Sequence, residues 1–189
     1  MNDGAVIETI SITLVSLLEG EIDKLPSGRF SVTLKAPTEE MENDSQGINL
    51  FLYRISENAE LRNQPWIREE NNLLRYPPLF LNLHYLITPY AKEQRDAHRI
   101  LTETMRIFHD YSNQELSVGA QQSHQLRIVL EPLSIEDLFK IWRALRRPYH
   151  LSISYCVQVA RIESKRERKV EIVRERDIRL HEVPIIHGR

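Results

Sequence analysis

Residues 75–90 read RYPPLFLNLHYLITPY, and the alternation inside this stretch decides the fold class. Leu79, Leu81, Leu83, Tyr85 and Ile87 share one parity, while Phe80, Asn82, His84 and Leu86 share the other. Side chains of an extended strand point to opposite faces in turn, so this segment predicts a strand that stops at Pro89. A strand of this kind needs neighbours, and the sequence offers them on both sides. Upstream, Ile48 to Ile55 is almost continuously apolar, the pattern of a central strand covered on both faces. Further upstream Phe30, Val32 and Leu34 alternate with polar residues up to Pro37. Downstream, Leu126, Ile128 and Leu130 give a strand ended by Pro132, and Leu151 to Val159 gives another with Ser152, Ser154 and Cys156 on its second side.

Three helices are expected between and before these strands. Val6, Ile10, Leu14, Leu17 and Leu18 recur at helical spacing, with Gly20 as a stop. Ala97, Ile100, Leu101, Met105, Phe108 and Tyr111 form a second stripe. Ser134 is a good N-cap for a third helix carrying Leu138, Ile141, Trp142 and Leu145 and closed by Pro148. Thr38 to Gly47 and the segment from Tyr111 through Gly119 read as polar loops. Ser56 to Pro78 reads as a long irregular excursion instead of a regular element. The fold class is therefore α+β, a mixed sheet of about five strands with three packed helices in residues 1–160. From 161 to 189 charges of both signs dominate, which predicts an extended C-terminal arm with Lys169 to Val173 alternating like an edge strand.

Composition narrows the function. The 189 residues carry a formal net charge of -2, so there is no excess of Lys and Arg to displace counterions from a polyanion, and nucleic acid is not an expected partner. Cys156 is the only cysteine, which rules out an intrachain disulfide and fits a small packed side chain. Ile10 to Leu18 could pass for a signal-peptide core, but Asp3 and Glu8 stand where basic residues belong and no cleavage site follows; no signal peptide is expected, and assembly in the cytoplasm is. No apolar run reaches the roughly 18 residues that span a bilayer, so no membrane insertion is expected.

Motifs for chemistry are missing. Six glycines form no phosphate-binding loop, and neither a nucleophile elbow nor a zinc-binding His-Glu-x-x-His helix is present. His98 and His109 share a helix azimuth but stand three turns apart, too far to hold one ion, so no metal, cofactor or catalytic residue is assigned. The pairs Glu39–Glu40 and Glu69–Glu70 read as solvated carboxylates. Arg143, Arg146 and Arg147 at a helix end complement the dipole and could also meet a partner.

Three stretches together resemble the N-terminal domain of cap, or tail-terminator, proteins from extracellular contractile injection systems of the antifeeding-prophage and virulence-cassette type. They are GINLFLYRISENAELRN at 47–63, RYPPLFLNLHYLITPY at 75–90 followed by Asp96 to Leu101, and the strand–helix–strand run from Leu126 to Val159. The resemblance implies a non-enzymatic structural protein that forms a homo-oligomeric ring of six on the inner tube and sheath of a particle that can be released from the cell. Partner contacts are then expected at Phe51, Tyr53, Arg54, Glu57, Asn58, Leu61, Arg62 and Trp66, and on the arm at Val170, Ile172, Arg174 and Arg176. The alternatives are a baseplate or tube-initiation component of such a particle, or, from another class, a small enzyme with a pocket uniting His84, His98 and Tyr85.

Overall fold

The computed structural model describes residues 6–22, 31–37, 46–69, 72–117 and 123–169. In chain order these carry α1 (Val6–Ile22), β1 (Ser31–Thr33), β2 (Gly47–Glu57), β3 (Ile67–Arg68), β4 (Leu73–Arg75), β5 (Leu79–Tyr90), α2 (Gln94–Asp110), β6 (Asn113–Ser117), β7 (Ser123–Glu131), α3 (Ile135–Ala144), β8 (Ile153–Ile162) and β9 (Glu167–Lys169). They belong to two compact units, one from residues 1–64 and 78–163 and one from residues 65–77 and 164–189.

In the first unit six strands run in the order β1-β2-β5-β8-β7-β6. Only the β1–β2 pair is parallel, so the sheet is mixed and the fold is α+β as expected. Leu83, Tyr85 and Ile87 of β5 face one core with Val6, Ile10, Leu14 and Leu18 of α1 and Leu101, Ile107 and Phe108 of α2. The four α1 residues recur once per turn, and burying each is worth about 1.5–3 kcal/mol. Phe108 meets Tyr155 of β8 edge-on, with centroids 4.9 Å apart. The buried Tyr85 hydroxyl lies 2.8 Å from Ser11 Oγ, itself hydrogen-bonded to the Ile7 carbonyl, so a polar tip inside this core is satisfied.

The opposite sheet face carries the other parity of β5. α3 brings the Trp142 indole N–H to Ser152 Oγ at 3.1 Å, with its ring 5.1 Å from His150, whose ring in turn lies 6.5 Å from Tyr90. Thus α1 and α2 pack on the face of Leu83, Tyr85 and Ile87, and α3 is anchored through Trp142 at the segment leading into β8. Ser134 caps α3 as its sequence position predicts, accepting the Asp137 N–H at 3.1 Å. Replacing Ser134 with Ala is expected to lower stability by about 1 kcal/mol, read as a shift in urea midpoint at unchanged m-value.

Several expectations need correction. The apolar run at β2 is not central: β5 and β8 hold the centre, and β1 covers the outer side of β2 only over Gly47–Asn49. Burial falls from complete at Gly47–Leu50 to exposed at Arg54 and Ile55 accordingly. β5 runs through Pro89, because β8 leaves it at Ile87 and a missing N–H costs little beside one remaining neighbour. α1 passes Gly20 and ends at Ile22. α3 ends before Pro148, at Ala144, and two residues on Arg146 turns left-handed with a φ of 56°. The segment read as a polar loop after Tyr111 contains β6, NQELS, an edge strand in a hairpin with β7. The Ser56–Pro78 excursion is not wholly irregular, since it holds β3 and β4.

Gly47 is required by the parallel β1 pairing. A Cβ there would collide with the Ser31 carbonyl and come within 2.7 Å of Ser31 Oγ. Gly47→Ala is expected to cost about 1–3 kcal/mol through displacement of β1, measured as a lower melting temperature.

In the second unit the small sheet β3-β4-β9 is antiparallel throughout. Trp66 meets Tyr76 edge-on at 5.2 Å, and the Arg166 guanidinium lies 5.4 Å from the Trp66 centroid and 5.5 Å from that of Tyr76. Arg168 adds a second cation over Trp66 at 5.6 Å. Arg75 bridges Glu69 and Glu167 at 2.9 and 3.1 Å. β9 at Glu167–Lys169 pairs with β4; of the strand expected at Lys169–Val173 only Lys169 is among the described residues, and Val170, Ile172, Arg174 and Arg176 lie outside them, as do Glu39, Glu40 and Glu70.

Candidate interaction surface

The turn after β2 is built around Asn58. Its side-chain oxygen accepts the N–H groups of Glu60 and Leu61 at 3.1 and 3.3 Å, and its amide donates to Asn82 Oδ1 at 3.1 Å. Its own N–H bonds the Phe80 carbonyl, so a residue expected at a partner contact is buried and anchors the turn. Glu57 and Arg62 close the turn with an exposed ion pair at 2.8 Å, and Leu61 is half-buried. Arg54 and Ile55 face solvent, with Ile55 48% exposed, and Phe51 and Tyr53 are half-buried. From Leu50 to Glu57 the outer edge of β2 has no strand partner among the described residues. Trp66 stands in the other unit, held by its arginines.

Tyr53 opens onto a polar network across four strands. Glu131 Oε2 accepts from His84 Nδ1 at 2.9 Å, Ser154 Oγ at 3.0 Å and the Tyr53 hydroxyl at 3.1 Å, and Ser56 Oγ lies 2.9 Å from His84 Nε2. A carboxylate only accepts, so Nδ1 donates to Glu131, while Ser56 Oγ meets Nε2 as donor or acceptor according to the protonation of the ring. Burial would raise the Glu131 pKa, yet the bonds from His84, Ser154 and Tyr53 and the His84 charge hold it below the ordinary value. Burial also lifts Tyr53 to about 12 and Cys156 to about 11, the latter helped by the Glu131 charge. The Cys156 thiol should therefore resist alkylation in the native protein and react at the free-thiol rate only in denaturant, as mass spectrometry would show.

Ser56, His84 and Glu131 have the bonding order of a hydrolytic triad. Ser56, however, stands within β2, laddered opposite Asn82 of β5, and not on a sharp turn that would aim backbone N–H groups at an oxyanion. Tyr85, the neighbour of His84, points to the opposite sheet face and bonds Ser11. His98 is remote from both. It lines a cavity of about 540 Å3 between the first turns of α2 and Tyr149–Leu151, whose walls include neither His84 nor Tyr85. The structure does not unite the three residues of the enzyme alternative, and the opposite faces of His84 and Tyr85 were already implied by strand alternation. The His84–Glu131 bond was missed because nothing in sequence sets the register of β7 against β8.

A family model described as the Pvc16 N-terminal domain matches residues 9–175. The chain belongs to the Pvc16 N-terminal domain family. Two solved structures share the fold of this Pvc16 N-terminal domain chain. One is the PVC sheath/tube terminator of an extracellular contractile injection system in its extended state, with a TM-score of 0.70, 18% identity and 96% of this chain aligned. The other is the tube terminating cap of the anti-feeding prophage, with a TM-score of 0.62, 17% identity and 90% of this chain aligned. The alignments cover 65% and 60% of those longer chains. Among curated proteins none matches. Among the described residues no helix is long and apolar enough to cross a membrane.

Proposed function

We propose that the protein is a structural cap that terminates the tube and sheath of a contractile injection particle, acting as a ring of six through protein–protein contacts. The observation that carries this is the alignment of 96% of the chain, across both units, with a sheath/tube terminator, together with family membership. The surfaces suit the role. The open β2 edge with Phe51, Tyr53, Arg54 and Ile55 and the Glu57–Arg62 turn are contact sites toward neighbouring subunits, and a sheet edge is a natural template for an added strand. The charged arm from 161 to 189, with Val170, Ile172, Arg174 and Arg176, couples the cap to sheath or tube subunits.

The test is assembly of particles without this subunit. Tubes of uncontrolled length, restored to normal by the wild-type chain, are the expected result. Few or no tubes would identify a baseplate or initiation component instead. Cryo-microscopy of particle ends should show a six-fold ring of this chain, and a two-fold dimer there would overturn the ring.

A further inference from the structure

We infer that successive copies of this chain meet through the exposed stripe of α1 on one and the exposed stripe of α3 on the next, a contact that rests on the ring proposed above. On α1, Glu8, Ile12 and Glu19 line the side away from the core, and Ile12 is 51% exposed. The 17-residue helix contains no Lys or Arg at all. On α3, Ile135, Phe139 and Arg143 follow one another at intervals of four, which sets them along one side of the helix, and the exposed Arg146 lies just past its end. Ile135 and Phe139 are 53% and 52% exposed, and the Phe139 ring rests on Tyr149 at 5.0 Å.

The two stripes are complementary in kind. Glu8 and Glu19 have no ion pair within the described residues, and neither do Arg143 and Arg146, whereas most charges on α2 and the Asp137–Lys140 pair of α3 are matched internally. Laid antiparallel with Phe139 against Ile12, the helices bring Arg143 beside Glu8. Apolar anchors flanked by opposite charges provide area at the centre and orientation at the rim. Geometry supplies the second reason. Because the two stripes are different patches of the subunit, each copy offers α3 to one neighbour and α1 to the next, a head-to-tail contact of the kind that closes into rings.

Sedimentation velocity and native mass spectrometry on four chains test this: wild type, Glu8→Arg/Glu19→Arg, Arg143→Glu/Arg146→Glu and Phe139→Ser. Wild type is expected to self-associate with concentration. Each variant should associate about tenfold more weakly or worse, with circular dichroism and melting showing the fold retained. An equimolar mixture of the two charge variants should recover association in alternating order, because one of its two contacts keeps its native charges and the other has both partners reversed. Wild type that stays monomeric at all concentrations overturns the contact, as do variants that associate like wild type. In the latter case a ring at particle ends would survive with a different interface, so the two failures are told apart.

Discussion

Glu131→Gln should cost about 3 kcal/mol at neutral pH and flatten the acid limb of the stability curve. The carboxylate gathers three donors on one oxygen, and a charge-assisted hydrogen bond is worth about 1.5–3 kcal/mol against a buried donor left short of a partner. Its side chain is 24% exposed, so water compensates part of the loss and the sum of the three bonds is not reached. The pH dependence follows from the direction of the shift. A carboxyl whose folded pKa lies below its unfolded value of 4.5 stabilises the fold fully above that value, and the contribution is lost as pH falls through the lower, folded value. Urea midpoints of wild type should therefore drop from about pH 4.5 downward. The variant should start lower and fall less over the same interval. Equal slopes for the two proteins would remove Glu131 as the source. Alkaline pH up to 10 should leave the network intact, since Tyr53 ionises only near 12.

The same network shows what the sequence could and could not reveal. β5 was legible because its parity is clean: Leu83, Tyr85 and Ile87 went to the core and His84 to the other face. Ser134 was legible because an N-cap is a local device. β6 was not, since NQELS owes its extended form to the hairpin with β7 and to no apolar pattern of its own. Continuous apolarity misplaced β2 near the centre. Its first half is indeed buried, but one edge pairs with β5 along the strand while the other meets β1 over three residues only. Asn58 was singled out as a contact residue and proves to be the turn's anchor, because an asparagine that organises a turn and one that meets a partner look alike in sequence. Trp66 and the arginines around it lie about a hundred residues apart in the chain, so their cluster depended on a long-range pairing of β4 with β9 that no local signal announces.

Truncation after Ile162 should abolish attachment to assembled sheath while leaving the main fold standing. The six strands of the large sheet and the three helices found among the described residues lie before Glu163, so the melting transition of that core should move by only a few degrees. What is lost is β9, the partner of β4, together with Arg166 and Arg168 over Trp66 and the Glu167 end of the Arg75 bridge. A two-stranded remnant of β3 and β4 is marginal by itself in water. The chain has two tryptophans, and Trp142 is buried against Ser152, so the change is readable at Trp66 alone. Emission should shift to the red on truncation, and the shift should vanish in a Trp66→Phe background. A second truncation, after Lys169, keeps β9 and removes only the following segment, whose Val170 and Ile172 alternate with Glu171. If that segment adds to a sheath edge as a strand, the longer chain should keep native Trp66 emission and still fail to attach, since strand addition satisfies backbone groups that a charged free chain cannot bury against its conformational entropy of roughly 1–2 kcal/mol per residue. Attachment retained by the longer chain and lost by the shorter would move the coupling to the small sheet itself, and attachment retained by both would remove the arm from the contact.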